Sequence, residues 1–356
     1  MFNGELADDS YKINSNVYTK KNYELTNEQK RISNEILKNF QDKKNQLIYA
    51  VCGAGKTELV FRVINYAINK ELRVGFAVPR RDVVIELASR FRYTFPKANV
   101  VSLFGGNTAI KEGDLIVLTT HQLYRFVDYF DLLIMDEIDA FPYANNELLL
   151  EMFYRSVRGN TILMSATPSD KLIEFYTHQE NHCLISLYTR HHMDPIPVPT
   201  IKIIPTFILK MLFIVQKLRM YERQNKPCLV FTPTIELSRK LHQFLKNFAK
   251  NGYFVNSQSH NRSEIIDKFR TGEFVYLVTT AVLERGVTLK NLQVIIFSAD
   301  SKIYDRASLV QISGRVGRVS GATTGDVIFI SDTKTKEMVK AINKITEANK
   351  HLQELL

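Results

Sequence analysis

The chain has 356 residues, 45% of them hydrophobic and 24% charged, with a formal net charge of +10. That length suits two compact domains better than one, and the apolar fraction excludes a disordered or fibrous chain. Three cysteines, Cys52, Cys183 and Cys228, with no CxxC pair, exclude a readable disulfide framework and a cysteine-built zinc site, so no zinc is expected and a reducing cytoplasm is. The positive surplus is local: residues 201–250 carry ten Lys/Arg and two acids. This surplus fits either a polyanionic partner or a solvated helix face. No secretory pattern opens the chain, and the longest apolar stretch, near Ile208–Val215, is too short to span a bilayer.

Residues 1–24 are polar and aperiodic and read as an N-terminal extension. From Leu25 short β-rich runs alternate with helical stretches. The runs are Leu47–Val51, Arg73–Val78, Leu115–Thr119, Asp131–Met135 and Thr161–Met164. Alternation of this kind predicts a parallel sheet covered by helices, here spanning residues 25–193. The prolines of Asp194-Pro-Ile-Pro-Val-Pro199 then interrupt the pattern, and residues 194–204 read as a connector or an extended edge segment. A second α/β unit follows over 205–356. It has helices at Phe207–Arg223, Ile235–Lys250 and Lys334–Leu356, and strands at Cys228–Phe231, Phe274–Thr279, Gln293–Phe297 and Asp326–Ile330.

Gly53-Ala54-Gly55-Lys56-Thr57 follows the first strand and opens a helix. Glycines at this spacing let backbone N–H groups cradle phosphate oxygens, and the helix N-terminus adds partial positive charge. Lys56 is expected to reach the β- and γ-phosphates, and the Thr57 hydroxyl to hold Mg²⁺. The full pattern asks for Gly where this chain has Ala50. Asp136-Glu137-Ile138-Asp139 follows the apolar strand Leu132–Met135. Asp136 at a buried strand's end can face the same metal, and Glu137 can orient or deprotonate the attacking water.

In their order, these motifs resemble the superfamily 2 helicases from Leu25 almost to the C-terminus. Leu25-Thr26-Asn27-Glu28-Gln29 looks like the adenine-reading element, with Gln29 on the base edge or else simply following an N-capping Thr26. Ser165-Ala166-Thr167 looks like the motif that links nucleotide state to lobe closure. Pro79-Arg80-Arg81 and Thr119-Thr120-His121-Gln122 sit where the family contacts the strand backbone. Phe231-Thr232-Pro233-Thr234 resembles a further strand-contacting motif, and Thr279-Thr280 with Glu284-Arg285-Gly286 one that touches both nucleic acid and nucleotide. Gln311-Ile312-Ser313-Gly314-Arg315-Val316-Gly317-Arg318 has the form QxxGRxGR. The resemblance implies two tandem RecA-like P-loop domains and an ATP site that uses Gln29, Gly53, Ala54, Gly55, Lys56, Thr57, Gly286 and Gln311. It also implies arginine fingers at Arg315 and Arg318, and nucleic-acid contacts at Pro79, Arg80, Thr119, Thr120, Gln122, Thr232, Thr280 and Arg285. Hydrolysis would be fast only when the second lobe supplies positive charge to the γ-phosphoryl group.

The stretches Ala50–Glu58, Asp136-Glu-Ile-Asp-Ala-Phe-Pro-Tyr143 and Leu283-Glu-Arg-Gly-Val-Thr288 narrow the resemblance to the ComFA-like late-competence ATPases. That implies single-stranded DNA as track, ATP and Mg²⁺ as fuel, and competence-machinery proteins at the inner face of the membrane as partners. Members commonly carry a four-cysteine zinc module before the motor, and residues 1–24 contain no cysteine. Two other readings stay open on the residues alone. One is another superfamily 2 helicase, acting in repair, replication restart or on RNA. The other is an ATP-gated nucleic-acid-binding protein with little hydrolysis, which an intact Glu137, Arg315 and Arg318 weigh against.

Overall fold

The computed structural model describes residues 24–107, 112–138, 147–249, 251–256, 259, 261–280 and 289–355. The polar extension, apart from Glu24, lies outside them. So do Asp139–Tyr143 and the stretch containing Glu284, Arg285 and Gly286. The chain divides into two compact units, Met1–Leu187 and Tyr188–Leu356.

In the first unit the strands are β1 (Asn45–Ala50), β2 (Val74–Val78), β3 (Val100–Leu103), β4 (Leu115–Thr119), β5 (Phe130–Asp136), β6 (Val157–Ser165) and β7 (His182–Leu187). The helices are α1 (Asn27–Gln41), α2 (Lys56–Leu59), α3 (Phe61–Asn69), α4 (Arg81–Thr94), α5 (Glu147–Arg155) and α6 (Asp170–His178). Among the described residues the strands form one seven-stranded sheet in the order β3-β4-β2-β5-β6-β1-β7, and every pairing is parallel. Strands β2 and β4 are buried along their whole length, as continuous apolar runs covered on both faces must be. Leu47, Leu133, Met135 and Leu163 meet in the core on one face. Because the strands all run the same way, the residues after β1, β2, β4, β5 and β6 emerge at one edge of the sheet. In doubly wound folds that edge carries the ligand site.

The second unit holds β8 (Thr200–Ile203), β9 (Cys228–Phe231), β10 (Gly252–Val255), β11 (Tyr276–Thr279), β12 (Gln293–Phe297) and β13 (Val327–Ser331). Its helices are α7 (Phe207–Arg223), α8 (Ile235–Leu245), α9 (Arg262–Arg270), α10 (Arg306–Ser313) and α11 (Lys336–Leu355). Among the described residues its six-stranded sheet has the order β10-β11-β9-β12-β13-β8, and those strands again pair in parallel. Val230, Val278, Ile295 and Ile330 form its core beside Ile214 and Leu218 of α7. Both units thus have the expected α/β architecture of helix-covered parallel sheets.

The proline-rich segment is not a free connector. Residues Thr200–Ile203 pair with β13 as the edge strand β8. Ahead of that strand, the Ile196 N–H donates to Asn349 Oδ1 at 2.8 Å, and Asn349 Nδ2 donates back to the Ile196 carbonyl at 2.9 Å. The Tyr188 ring stacks on His351 with centroids 4.6 Å apart. Residues 188–204 therefore belong to the second unit, and the unit boundary falls at Leu187–Tyr188 rather than at Met193–Asp194. Prolines cannot pair as inner strands, but they tolerate this edge.

The basic surplus between 201 and 250 is partly neutralised from outside that window. Lys210, 2% exposed, donates to Asp332 at 2.8 Å, and Lys217 donates to Asp326 at 3.0 Å. Within the window, Lys240 pairs with Glu236 at 2.6 Å.

Candidate nucleotide-hydrolysis site

The phosphate loop begins where β1 ends. Gly53 and Gly55 both adopt left-handed backbone, with φ of 87° and 78°, which L side chains rarely adopt. At Gly55 there is also no room, since a Cβ would stand 2.9 Å from Gln29 Nε2. Ala54 between them is fully buried, and so is Ala50, the small residue that stands where the full pattern has glycine. The loop is braced from α1. Gln29, 2% exposed, donates its amide to the Ala54 carbonyl at 2.8 Å, and its Oε1 accepts from the Thr26 N–H at 2.9 Å. Ser33 one turn on donates to the Leu59 carbonyl at 2.9 Å. Gln29 thus ties the capped start of α1 to the loop. Thr26 does cap the helix, and the capping box is what aims Gln29 inward.

Lys56 and Thr57 open α2, both half-buried. Lys56 Nζ lies 3.7 Å from Asp136 Oδ1. Asp136 is the last residue of β5, in register with Met164 of β6. Asp136 Oδ1 and Glu137 Oε2 are both closed off from bulk solvent. Glu137 has φ of +65°, a conformation that costs a residue with a Cβ about 1–2 kcal/mol. Its N–H donates to the Met164 carbonyl at 2.9 Å, which holds the turn in place. Strain of this kind gathers at sites where geometry serves chemistry; here it turns the Glu137 carboxylate out of the strand alternation. On the neighbouring strand, the buried Ser165 hydroxyl accepts from the Thr167 N–H at 2.9 Å.

Triphosphate and Mg²⁺ fit these residues. Two left-handed glycines leave a loop whose N–H groups can face inward, Lys56 supplies charge, and Thr57 and Asp136 offer the hard oxygen donors that Mg²⁺ prefers.

In the second unit, the Gln311–Arg318 segment ends α10 and forms a tight loop. Gln311 is half-buried. Arg315 is 3% exposed, so it lies inside the protein and not on a surface loop. Arg318 is half-buried and donates its Nε to the Gly314 carbonyl at 2.7 Å. Gly317 has φ of +70°, and a Cβ there would stand 2.2 Å from the Thr323 carbonyl oxygen. Beneath the loop lies a residue that sequence reasoning missed. Arg190, 3% exposed, donates Nη1 to the carbonyls of Val316 and Gly317 at 2.9 and 2.8 Å and Nη2 to that of Gly314 at 3.0 Å. It sits just ahead of the proline segment, where no motif spacing singles it out.

The expected nucleic-acid contacts are divided. Pro79 and Arg80 follow β2 and are half-buried, with Arg80 at the N-terminal boundary of α4 and making no side-chain cap bond. Thr119 and Gln122 are 8% and 9% exposed, Thr120 is fully buried, and Gln122 Oε1 accepts from Arg125 at 2.7 Å. Thr120 thus cannot offer its hydroxyl to a strand as the sequence expectation had it. The same holds for Thr232, which is 1% exposed and bonds Ser238 and the Thr234 carbonyl. The Thr232 hydroxyl finds its partners in the turn and helix that follow, and so secures that loop. Thr280 is 9% exposed. Gly286 and Arg285 lie outside the described residues.

Against known proteins, residues 22–170 match the family described as "Type III restriction enzyme, res subunit". Residues 209–320 match "Helicase conserved C-terminal domain". Competence protein ComFA of Bacillus subtilis is 34% identical over 341 residues, covering 91% of this chain and 72% of that protein. Competence protein ComFA of Streptococcus pneumoniae is 36% identical over 337 residues, covering 92% and 78%. Among solved structures, S. cerevisiae Dbp5 bound to RNA and ADP BeF3 superposes with a TM-score of 0.68 at 17% identity, covering 92% of this chain and 88% of that one, a likeness of fold alone. The chain belongs to the ComFA competence-protein family and is a nucleic-acid-dependent ATPase of the superfamily 2 helicase type, built as tandem RecA-like domains.

Proposed function

We propose that this ATPase moves along single-stranded DNA and drives the import of transforming DNA during natural competence. The observation that carries the proposal is the cluster of Lys56, Asp136 and Glu137 at one edge of a parallel sheet, with Lys56 Nζ 3.7 Å from Asp136. The relatives' designation as competence proteins supplies the direction of work. In this reading the loop Gly53–Thr57 binds the triphosphate, and Gln29 keeps the loop in shape. Glu137 takes the proton of the attacking water, and Arg318, with Arg315 behind it, stabilises charge on the γ-phosphoryl group. Thr57 and Asp136 would hold Mg²⁺, which would supply positive charge to the phosphate oxygens. Arg80, Arg285 and Thr280 hold the strand's phosphates and set its position without reading sequence. Partners in the uptake machinery at the inner membrane face bring the ATPase to its site of action. Among the described residues no helix is long and apolar enough to cross a membrane.

Steady-state ATP hydrolysis with single-stranded DNA, duplex DNA and RNA of equal length tests the reading. The greatest stimulation is expected with single-stranded DNA. Greatest stimulation by RNA or by duplex would replace this track with another, and undetectable turnover with all three would leave only ATP-gated binding.

A further inference from the structure

We propose that Arg190 is the positioning residue of the arginine loop: its buried guanidinium sets the direction of Arg318 through the carbonyl oxygen of Gly314, which both arginines share. The inference rests on the reading of Arg318 as the group that meets the γ-phosphoryl charge.

The loop presents a specific physical problem. Helix α10 ends at Ser313, and the carbonyls just beyond a helix end have no intrahelical donor. Gly314, Val316 and Gly317 are all buried, so water does not satisfy these carbonyls, and a buried carbonyl left without a donor costs about 1–3 kcal/mol. Arg190 supplies three hydrogen bonds from one planar fork, at 2.8–3.0 Å. A positive group there also suits the negative end of the helix. Lysine could not replace it, because a single ammonium cannot span carbonyls that need two nitrogens of a fixed fork.

The third bond gives the arrangement its functional meaning. Arg190 Nη2 and Arg318 Nε donate to the same oxygen, Gly314 O, at 3.0 and 2.7 Å. Where that carbonyl points is set from one side by Arg190, and the carbonyl in turn fixes the base of the Arg318 guanidinium. Gly317 permits the close approach, since a Cβ there would stand 3.2 Å from Arg190 Nη1 as well as colliding with Thr323. Arg190 also occupies a telling place in the chain. Three residues earlier, the Leu187 carbonyl accepts from the Val51 N–H at 3.0 Å, at the foot of the phosphate loop. The backbone that leaves β7, the strand paired with β1, carries the residue that grips the arginine loop three residues on.

The test combines Arg190→Ala and Arg190→Lys with Arg318→Ala, singly and together, in DNA-stimulated ATP hydrolysis. A misplacement of about 1 Å at a reacting group costs on the order of 100-fold, so each Arg190 variant should lose about 10- to 100-fold in kcat while KM for ATP changes little. In the Arg318→Ala background the further loss on removing Arg190 should nearly vanish, because both changes disable one group. Added methylguanidinium should restore part of the kcat of Arg190→Ala, and methylammonium should not. Melting curves of both single variants accompany the kinetics, and Arg190→Lys serves if Arg190→Ala does not fold. Multiplicative losses in the double variant, or a raised KM with unchanged kcat, would overturn the proposal. If Arg318→Ala alone turned over at the wild-type rate, the failure would lie with the finger reading and not with Arg190.

Discussion

Lys56 Nζ and Asp136 Oδ1 stand 3.7 Å apart, although the chain passes through β2, β3 and β4 between them. The parallel sheet makes this meeting. Strands β1 and β5 flank β6, and both deliver their last residues to the same edge. In the proposed function, Lys56→Ala removes the cation that this edge would bring to the β- and γ-phosphates. Turnover should fall by at least about 100-fold, the cost of losing one preorganised donor. Nucleotide binding and turnover measured side by side check this; a variant retaining normal turnover would remove Lys56 from the chemistry.

Glu137 separates chemistry from stability. Glu137→Gln keeps the shape and removes the proton acceptor, so hydrolysis should drop by about 10²- to 10⁴-fold with ATP still bound. Glu137→Gly should be as inactive yet more stable by about 1 kcal/mol, because the left-handed φ of +65° no longer strains a Cβ. Denaturant unfolding decides: a Gly variant less stable than wild type would mean that the turn is not strained.

Gln29 is expected to act on the loop. Gln29→Glu preserves the acceptor for the Thr26 N–H but places an oxygen opposite the Ala54 carbonyl, where an N–H now stands at 2.8 Å. Two acceptors cannot share that contact, so nucleotide affinity should weaken by about tenfold, the equivalent of one buried hydrogen bond. Titration with a fluorescent ATP analogue measures it; unchanged affinity would reduce Gln29 to a helix cap.

Asp326 links acid stability to the second unit. Burial raises its pKa, but hydrogen bonds from Tyr221 at 2.7 Å and Lys217 at 3.0 Å prevail and hold the carboxyl below its ordinary value. A depressed folded-state pKa gives stability that is present above the unfolded value of about 3.9 and is lost as pH falls through the lower folded value. The stability gap between wild type and Asp326→Asn should thus be full near neutrality and close below about pH 4. A gap that widens in acid would reverse the sign of the assignment.

How much was legible in the sequence follows from where each residue sits. Buried strands such as Leu115–Thr119, Cys228–Phe231 and Gln293–Phe297 have the expected bounds, because continuous apolar runs mark them. The strands without a sequence signal, β3, β7 and β10, are sheet edges, as is β8, which falls in the segment 194–204 read as a connector or an extended edge segment. An edge strand is covered less fully, and β8 and β10 are mostly exposed or half-buried, so no apolar run distinguishes them. Helix α8 stops at Leu245, short of the expected Lys250, since charge and amphipathic spacing continue into the turn that follows. The placement of Gly53–Thr57, Asp136 and Glu137 after β1 and β5 is legible, because their spacing and the apolar runs before them mark strand ends. Arg190 was not, because its partners are backbone carbonyls, which leave no trace in side-chain spacing. Thr120 and Thr232 looked like strand contacts by position alone, and their burial could not be read from residue type.

The proposed function makes hydrolysis in the first unit depend on a guanidinium of the second. The most direct test is single-turnover ATP hydrolysis by Arg318→Ala with saturating single-stranded DNA. The expected result is a loss of about 10³-fold or more in the chemical step with ATP affinity nearly unchanged. Hydrolysis at the wild-type rate would contradict it.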